Sequence, residues 1–222
     1  MSETLPHDHI IPFKDSDKAK KEQVAEMFDS IAVNYDTMNR FLSARIDLIW
    51  RKKAIRKLKS QDPKQILDVA TGTADMAIFC CKMLNVEKIT GIDISEQMLE
   101  IGKKKIEKEG FANRIQLHRG DSETINFAKN TFDAVTVAFG VRNFENLEKG
   151  LTEMLRVLKP GGQILILEFA KPQRKIIRSL YNLYMKIVAP KVAGWFNKIR
   201  KLICIYVSQP MLFRTANILL TF

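Results

Sequence analysis

The residues best placed to do chemistry lie in a glycine turn that follows a short apolar stretch at 66–70. Gly72 lets the backbone of this turn approach a ligand because it has no Cβ, and residues 75–84 can form a helix. A second apolar stretch ends at Asp93, about 20 residues beyond the turn, where a carboxylate can accept hydrogen bonds from two adjacent ribose hydroxyls. This order of elements predicts a site for a ligand that contains adenosine.

The turn lacks two glycines of the dinucleotide-binding fingerprint. Ala74 and Ala77 stand where the second and third glycines would be, and the second is needed for close approach to a pyrophosphate. S-adenosylmethionine has no pyrophosphate, and its cationic amino group can meet a carboxylate such as that of Asp68. Short glycine turns also occur in α/β domains that bind nothing there, so the turn alone is equally compatible with a structural role.

Length and composition predict one globular domain, because 222 residues with 46% hydrophobic content can bury one sizeable core. No apolar run approaches the roughly 18 residues of a membrane span, and the first residues lack a basic region followed by an apolar one. We therefore expect a cytoplasmic protein. Cys80 and Cys81 are adjacent and Cys204 stands alone, a pattern that indicates neither a disulfide framework nor a metal site.

The formal charge of +11 is concentrated in helix-like segments at 51–59, 103–108 and 174–201. Most charge of this kind is a solvated helix face. The last segment also contains aromatic residues, a mixture suited to anionic lipid headgroups, and these are Tyr181, Tyr184, Trp195 and Phe196. Peripheral contact with a membrane surface is therefore expected there.

Strand and helix candidates alternate along the chain after a helical segment at 20–31. Strands are expected at 66–70, 89–94, 115–118, 133–139 and 163–169, and helices at 75–84, 95–110 and 146–158. This alternation predicts an α/β fold with a parallel, doubly wound sheet, preceded by a helical lid. The stretches at 134–139 and 164–167 are nearly all apolar, which is typical of strands covered on both faces.

Ligands of such sheets bind beyond the carboxyl ends of the strands, which collects the candidate residues from four strand ends. Asp121, or the backbone near Ser122, can accept a hydrogen bond from an adenine amino group, and Arg142 and Asn143 can donate to a substrate oxygen. A structural alternative exists for each: Asp121 can cap the next turn, and Arg142 can pair with Glu145. The full cofactor-binding set is Asp68, Thr71, Gly72, Asp93, Asp121 and Ser122.

Three segments resemble the C-methyltransferases of menaquinone and ubiquinone biosynthesis. Tyr-Asp-Thr-Met-Asn-Arg-Phe-Leu-Ser at 35–43, with Trp50 seven residues on, resembles their first signature, and Arg-Val-Leu-Lys-Pro-Gly-Gly-Gln-Ile at 156–164, running to Glu168, resembles their second. Ala-Phe-Gly-Val-Arg-Asn-Phe at 138–144 is similar to the segment after their fourth strand, and the family order is kept from residue 20 to about 196. The resemblance implies a class I S-adenosylmethionine-dependent fold and methyl transfer to a ring carbon of a reduced polyprenyl quinone, such as demethylmenaquinol.

The family pattern places cofactor contacts on residues already selected at strand ends, namely Thr71, Asp93, Asp121 and Ser122. The chain departs from the pattern at Ala74 and at Ala170, where a glycine and a serine are usual. We expect Arg142 and Asn143 to hold or polarise the phenolic oxygen of the substrate, directly or through water. The general base is not assigned, and the candidates are Tyr35, Asp36 and His118.

The resemblance stops after Phe196. Residues 208–222 can be encoded by nucleotides that give Ser-Ala-Asn-Ala-Phe-Pro-Asp-Gly-Lys-His-Phe-Ile-Asp-Ile in another frame, which resembles the expected continuation. We therefore expect a frameshift near residue 197 and three segments: a flexible arm at 1–17, the methyltransferase domain at 18–196 and an aberrant tail at 197–222. The closing β-hairpin would be missing, which would leave the strand at 163–169 as an unpaired edge.

Two other functions fit the sequence less well. A methyltransferase of the same fold could act on another small phenol, a sterol or RNA, but the signature at 35–50 favours the quinone. A module of a different class could hold RNA or acidic lipid on its basic surface and keep the cofactor pocket as a relic. The leading hypothesis is the quinone methyltransferase, with no nucleic-acid partner.

Overall fold

The computed structural model describes residues 17–43, 45–168 and 217–221. Two helices, α1 (Lys20–Leu42) and α2 (Ile46–Ile55), precede a 3₁₀ helix, Arg56–Gln61. The remaining elements are β1 (Gln65–Val69), α3 (Asp75–Met83), β2 (Lys88–Asp93), α4 (Glu96–Lys108), β3 (Ile115–Arg119), β4 (Phe132–Ala138), a short 3₁₀ turn (Val141–Asn143), α5 (Leu147–Val157), β5 (Leu158–Leu167) and β6 (Asn217–Thr221).

The strands form one sheet in the order β3-β2-β1-β4-β5-β6. The first five are parallel, as predicted, and the direction of strand addition reverses between β1 and β4. This reversal is the switch point at which doubly wound sheets bind their ligands. It lies between the glycine turn after β1 and the segment that carries Arg142 and Asn143.

The prediction that β5 would be left as an open edge is wrong. In the structure β6 runs antiparallel to β5, with Gln163 opposite Thr221 and Leu167 opposite Asn217. The backbone groups of β5 therefore have ladder partners although the sequence of β6 comes from the segment expected to be aberrant. Several predicted features lie outside the described residues: most of the arm, Ala170, the segment at 174–201 expected to contact lipid, and most of the tail.

The sheet is covered on both faces because successive side chains of its central strands point to opposite sides. Ile66 of β1 packs in a cluster with α2, α3 and α4, whereas Leu67 packs in a second cluster with α5. Both side chains are fully buried, as are Ile89 and Val135 of the neighbouring strands. This two-sided burial explains why the strands read as continuous apolar runs.

Predicted and observed elements agree in kind and differ at their ends. The helix expected at 20–31 continues to Leu42, and α2 adds a further helix that the apolar pattern did not delimit. Strand β5 begins at Leu158 rather than at 163, because Leu158 pairs with Phe132 before an irregularity in the ladder. Within the described residues, no helix is long and apolar enough to cross a membrane, and no group of three potential metal ligands occurs.

Candidate active site

A cleft opens at the carboxyl ends of the parallel strands, between the sheet and helix α1. It holds about 660 Å³ of space including its mouth. The strand ends contribute Gly72, Asp93, Asp121, Ser122 and Asn143, all of them predicted site residues, and α1 contributes Lys21, Val24, Phe28 and Tyr35. Apolar walls come from both sides and include Ile94, Met98, Phe139 and Phe144.

The turn after β1 forms the floor of the cleft. Gly72 has a φ of 55°, and no atom lies within 4 Å of the position that a Cβ would occupy there. Ala70 and Ala74 also adopt positive φ angles, of 51° and 64°. This backbone geometry leaves open space beside Gly72, which suits the close passage of a ligand.

Asp93 ends β2 with both carboxylate oxygens oriented by backbone groups. Its Oδ2 accepts a hydrogen bond from the amide of Gly72 at 2.8 Å, and its Oδ1 accepts one from the amide of Ser95 at 2.9 Å. Burial raises the pKa of Asp93 to about 6, although these two amides oppose the rise. Each oxygen keeps a lone pair for a further donor, so the carboxylate is held in place to accept hydrogen bonds from a diol.

Asp68 is buried beneath the turn rather than among the residues that line the cleft. Its two oxygens accept hydrogen bonds from the hydroxyls of Thr71 and Thr136, each at 2.6 Å. Burial raises the pKa of Asp68, and these hydroxyls oppose the rise. Thr71 is itself buried, and a Cβ on Gly91 would lie 2.9 Å from its hydroxyl oxygen. Asp68 and Thr71 thus form a polar support that fixes the turn from below.

Asp121 follows β3 at the opposite end of the cleft. Its Oδ1 accepts a hydrogen bond from the amide of Glu123 at 2.9 Å, and its Oδ2 lies 2.5 Å from the ammonium of Lys21. The same ammonium lies 3.4 Å from Glu123 and 3.8 Å from Glu145. Ser122 lies beside Asp121 on the cleft wall. Lys21 therefore joins the first turn of α1 to three carboxylates at the mouth of the site.

The segment after β4 carries the predicted substrate-binding pair. Asn143 lines the cleft, whereas Arg142 does not and forms a buried ion pair with Glu168. The structural alternative for Arg142 named Glu145, but its observed carboxylate partner is Glu168, which follows the adjacent strand β5. A Cβ on Gly140 would lie only 2.5 Å from the Cβ of Ala70, so this segment packs directly against the glycine turn.

Residues 16–202 match the ubiE/COQ5 methyltransferase family. The chain belongs to this family. It is 49% identical over 193 residues to a demethylmenaquinone methyltransferase of Bacteroides fragilis, a match that covers 87% of this chain and 78% of that one. It is 45% identical over 180 residues to the ubiquinone/menaquinone biosynthesis C-methyltransferase UbiE of Geotalea daltonii, covering 81% and 77% of the two chains.

A solved structure supports the fold. A putative S-adenosyl-L-methionine-dependent methyltransferase of Methanococcus maripaludis superposes with a TM-score of 0.55 at 21% identity, over 88% of this chain and 86% of that one. This likeness shows the fold, and the family match and the relatives identify the chain as a methyltransferase with S-adenosylmethionine as its cofactor, as predicted. The other substrate classes and the relic binding module are not favoured. The family match ends at residue 202, close to the predicted end of the resemblance near 196.

The methyltransferase's own residues fit this cofactor. The cleft has open space at Gly72, a carboxylate at Asp93 with lone pairs available, and a polar turn at Asp121 and Ser122. These groups follow three adjacent strands in the order β1, β2, β3. Since neighbouring strands lie about 4.8 Å apart, an extended adenosine ligand can lie across all three strand ends.

Helix α1 covers this site and brings aromatic side chains to it. The rings of Phe28 and Tyr35 make an edge-to-face contact with their centroids 5.9 Å apart. Burial raises the pKa of the Tyr35 phenol, while the charge of Arg51 opposes the rise. Of the other base candidates, Asp36 accepts hydrogen bonds from Thr73 and Lys105, and His118 is exposed on β3. Of these three candidates, Tyr35 alone lines the cleft.

A network of charges anchors the lid to the body of the methyltransferase. Arg40 of α1 pairs with both Asp47 of α2 and Asp75 of α3. Lys105 of α4 lies 2.6 Å from Asp75 and 2.7 Å from Asp36 of α1. Burial alone would raise the pKa of Asp75, but nearby cations, chiefly Lys105, lower it overall. The lowered pKa favours the charged form of Asp75, and these ion pairs tie α1 to α2, α3 and α4.

Sequence reasoning missed Lys21 and Phe28 as site residues. The signal was present, because Lys21, Val24 and Phe28 recur at helical spacing and line the same cleft. This spacing predicted the lid helix at 20–31 but did not place its side chains in the site. Lys21 had no local partner to mark it, since its closest carboxylate partner lies 100 residues further along the chain.

Proposed function

We propose that this methyltransferase transfers a methyl group from S-adenosylmethionine to a ring carbon of a reduced polyprenyl quinone, such as demethylmenaquinol. The observation that carries the proposal is a single cleft whose lining combines two kinds of group. Asp93, Asp121 and Ser122 are polar groups suited to adenosine, and Tyr35, Phe139 and Phe144 are aromatic groups suited to a quinol ring. The names of the relatives at 45–49% identity, a demethylmenaquinone methyltransferase and a ubiquinone/menaquinone biosynthesis C-methyltransferase, support the same substrate class.

Each polar group has a role that its geometry supports. Asp93 accepts hydrogen bonds from the ribose hydroxyls while the amides of Gly72 and Ser95 hold its oxygens in place. Asp121 or the backbone beside Ser122 accepts from the adenine amino group. Asp68 and Thr71 act from beneath the turn, where their mutual hydrogen bond fixes the backbone that the ligand contacts.

Through its aromatic lining, the enzyme positions the ring and excludes water. S-adenosylmethionine, when bound, supplies a methyl group on a cationic sulfur. A hydroquinone carbon becomes nucleophilic as the neighbouring phenol loses its proton, so donors that stabilise the phenolic oxygen favour the reaction. Asn143, which lines the cleft, holds that oxygen directly. Arg142, buried and paired with Glu168, supplies positive charge from behind Asn143 or acts through water.

The domain boundaries belong to the same proposal. Residues 18–196 form the methyltransferase domain, residues 1–17 are an arm, and residues 197–222 are the product of a changed reading frame. The family match at 16–202 supports these limits. A gene sequence whose codons at 208–222 cannot give the alternative string would contradict the frameshift.

Peripheral contact with a membrane would bring the enzyme to its lipophilic substrate. The expected segment at 174–201 is joined by a second surface on α2, where Ile46 and Ile49 are exposed beside Lys52 and Lys53. Exposed apolar side chains beside lysines suit an anionic headgroup layer. Co-sedimentation with vesicles that contain anionic lipid should therefore exceed that with neutral vesicles, and Ile49→Glu should reduce it.

The test of the proposed activity is methyl transfer from labelled S-adenosylmethionine to a reduced short-chain demethylmenaquinone. It should be run on this chain and on a version with the reading frame restored. Asn143→Ala and Arg142→Lys should lower turnover much more than affinity for S-adenosylhomocysteine, because both act on the substrate oxygen. If the protein with the restored frame folds and binds the cofactor but does not methylate the quinol, another phenol, a sterol or RNA becomes the favoured substrate.

A further inference from the structure

Arg51 of α2 is a buried cation that the proposed mechanism does not use. Its side chain is only 7% exposed, and its Nε makes no hydrogen bond within the part of the chain that the structure describes. The carboxylate of Asp47 comes no closer to Nε than 4.0 Å, which is too long for a hydrogen bond. Asp47 itself is engaged elsewhere, since its oxygens accept from Arg40 and from the Ser43 hydroxyl.

The guanidinium lies next to the cleft. It stacks over the ring of Phe139, with 4.9 Å from its central carbon to the ring centroid. Phe139 and Tyr35 both line the cleft. Burial raises the pKa of the Tyr35 phenol, and the charge of Arg51 opposes that rise. The same charge lowers the pKa of Asp68 below the value that burial alone would give, which places Arg51 near the support of the glycine turn. Arg51 is therefore close to both β1 and β4 ends.

A guanidinium in this position is poised for an anion. It carries five N–H donors in a planar fork that matches the two oxygens of a carboxylate. Removing such a group from water without hydrogen bonds is costly, so native structures supply partners for most buried donors. Stacking on Phe139 compensates part of this cost but satisfies no N–H.

We propose that Arg51 binds the carboxylate of the methionine tail of S-adenosylmethionine. The proposal rests on the proposed function only in so far as that function requires this cofactor. The strand order supports it, because the groups for adenine, ribose and the turn follow β3, β2 and β1, and Arg51 lies where β1 meets β4. Three strand spacings give about 14 Å, a span that matches an extended adenosyl amino acid.

The matched ligands for the test are S-adenosylhomocysteine and its decarboxylated analogue, which keeps the amino group but lacks the carboxylate. Both ligands are titrated calorimetrically into the wild type, Arg51→Met and Arg51→Lys. The ratio of the two dissociation constants is then compared between proteins, so that any effect of a substitution on both ligands cancels. Lys53→Met is the control, since it removes one positive charge from the exposed face of the same helix.

The wild type should bind S-adenosylhomocysteine about 30-fold more tightly than the decarboxylated analogue, as expected for loss of a charge-assisted hydrogen-bond pair. Arg51→Met should bind both ligands equally, Arg51→Lys should keep part of the preference, and Lys53→Met should keep all of it. The preference of the wild type for the ligand with a carboxylate is measured without any substitution. The proposal can therefore be refuted even if Arg51→Met folds poorly.

Three results would overturn it. An undiminished preference for the carboxylate in Arg51→Met or Arg51→Lys would place the carboxylate elsewhere. If Arg51→Met binds both ligands as tightly as the wild type but has a raised KM for the quinol, Arg51 contacts the phenolic oxygen of the substrate and not the cofactor carboxylate. Failure of the wild type to bind S-adenosylhomocysteine at all would remove the cofactor and the proposed function with it, whereas tight binding without methyl transfer would remove only the quinol.

Discussion

The role of Asp93 predicts that cofactor affinity depends on pH in a definite direction. Burial raises the pKa of this carboxyl to about 6, so the free enzyme holds a proton on Asp93 in mildly acidic solution. A diol donates its hydrogens most strongly to the ionised carboxylate, and its binding therefore favours the charged form. Below the raised pKa, binding must release a proton, and affinity falls as the pH falls.

The size of the effect follows from the fraction of free enzyme that is ionised. With a pKa of about 6, roughly nine tenths of Asp93 is charged at about pH 7 and roughly one tenth at about pH 5. The dissociation constant for S-adenosylhomocysteine should therefore rise about tenfold between these conditions, which is about 1.4 kcal/mol. Uptake of close to one proton per ligand should accompany dissociation at the acidic end.

Isothermal titration calorimetry in two buffers of different ionisation enthalpy measures both quantities. Asp93→Asn should bind more weakly but with little pH dependence, because it has no proton to lose. His118→Gln is the control, since this exposed imidazole lies on the neighbouring strand β3, opposite Ile92. A wild-type affinity that stays constant over this range, or an Asp93→Asn variant with the wild-type slope, would refute the reasoning.

Three further predictions concern the lid and the turn. Lys21→Met should lower the unfolding free energy by about 1 kcal/mol or less, because the ammonium that balances Asp121 is partly exposed, and the difference in denaturant melts should shrink in roughly 1 M salt. Gly140→Ala should cost about 1–3 kcal/mol in the same assay by forcing its Cβ against Ala70, and the double variant with Ala70→Gly should recover most of this; no recovery would contradict the clash. Asp29→Ala should cost about 1 kcal/mol by removing the acceptor for the Ser95 hydroxyl and the Gln97 amide at the start of α4, and Asp29→Asn, which keeps an acceptor, should cost less.

The strand ends could be located from the sequence because their rule is local. An apolar strand, a glycine and a carboxylate at the next strand end define Gly72 and Asp93 without knowledge of packing, and both line the cleft. Asp121 and Asn143 follow from the same rule applied to β3 and β4. The rule finds residues at the correct edge of the sheet but does not tell which side chains turn inward beneath the floor, as Asp68 does.

Interactions between distant segments could not be predicted in this way. Arg142 was matched to Glu145, three residues away, but pairs with Glu168 because β4 and β5 are neighbours and both end at this edge. Lys21 lines the cleft from α1 and Arg51 lies next to it on α2, and the placement of these helices depends on ion pairs such as Arg40 with Asp75. Helical spacing puts Lys21 and Phe28 on one face of α1, but it does not tell that this face covers the cleft, so the lid's contribution to the site appears only in three dimensions.

The pairing of β6 with β5 has a consequence for how this sheet tolerates change. A strand is added through backbone amides and carbonyls, which nearly all residues carry. The hydrogen bonds between the edge of β5 and Asn217–Thr221 therefore depend little on the side chains of that segment. The outer edge of β5 can therefore pair with β-forming segments of different sequence. The groups that bind the cofactor lie elsewhere, at the carboxyl ends of the strands around β1 and β2. Replacement of the final strand by an unrelated β-forming segment should leave the sheet closed on that side, which makes this end of the protein a natural place to fuse or exchange a sequence.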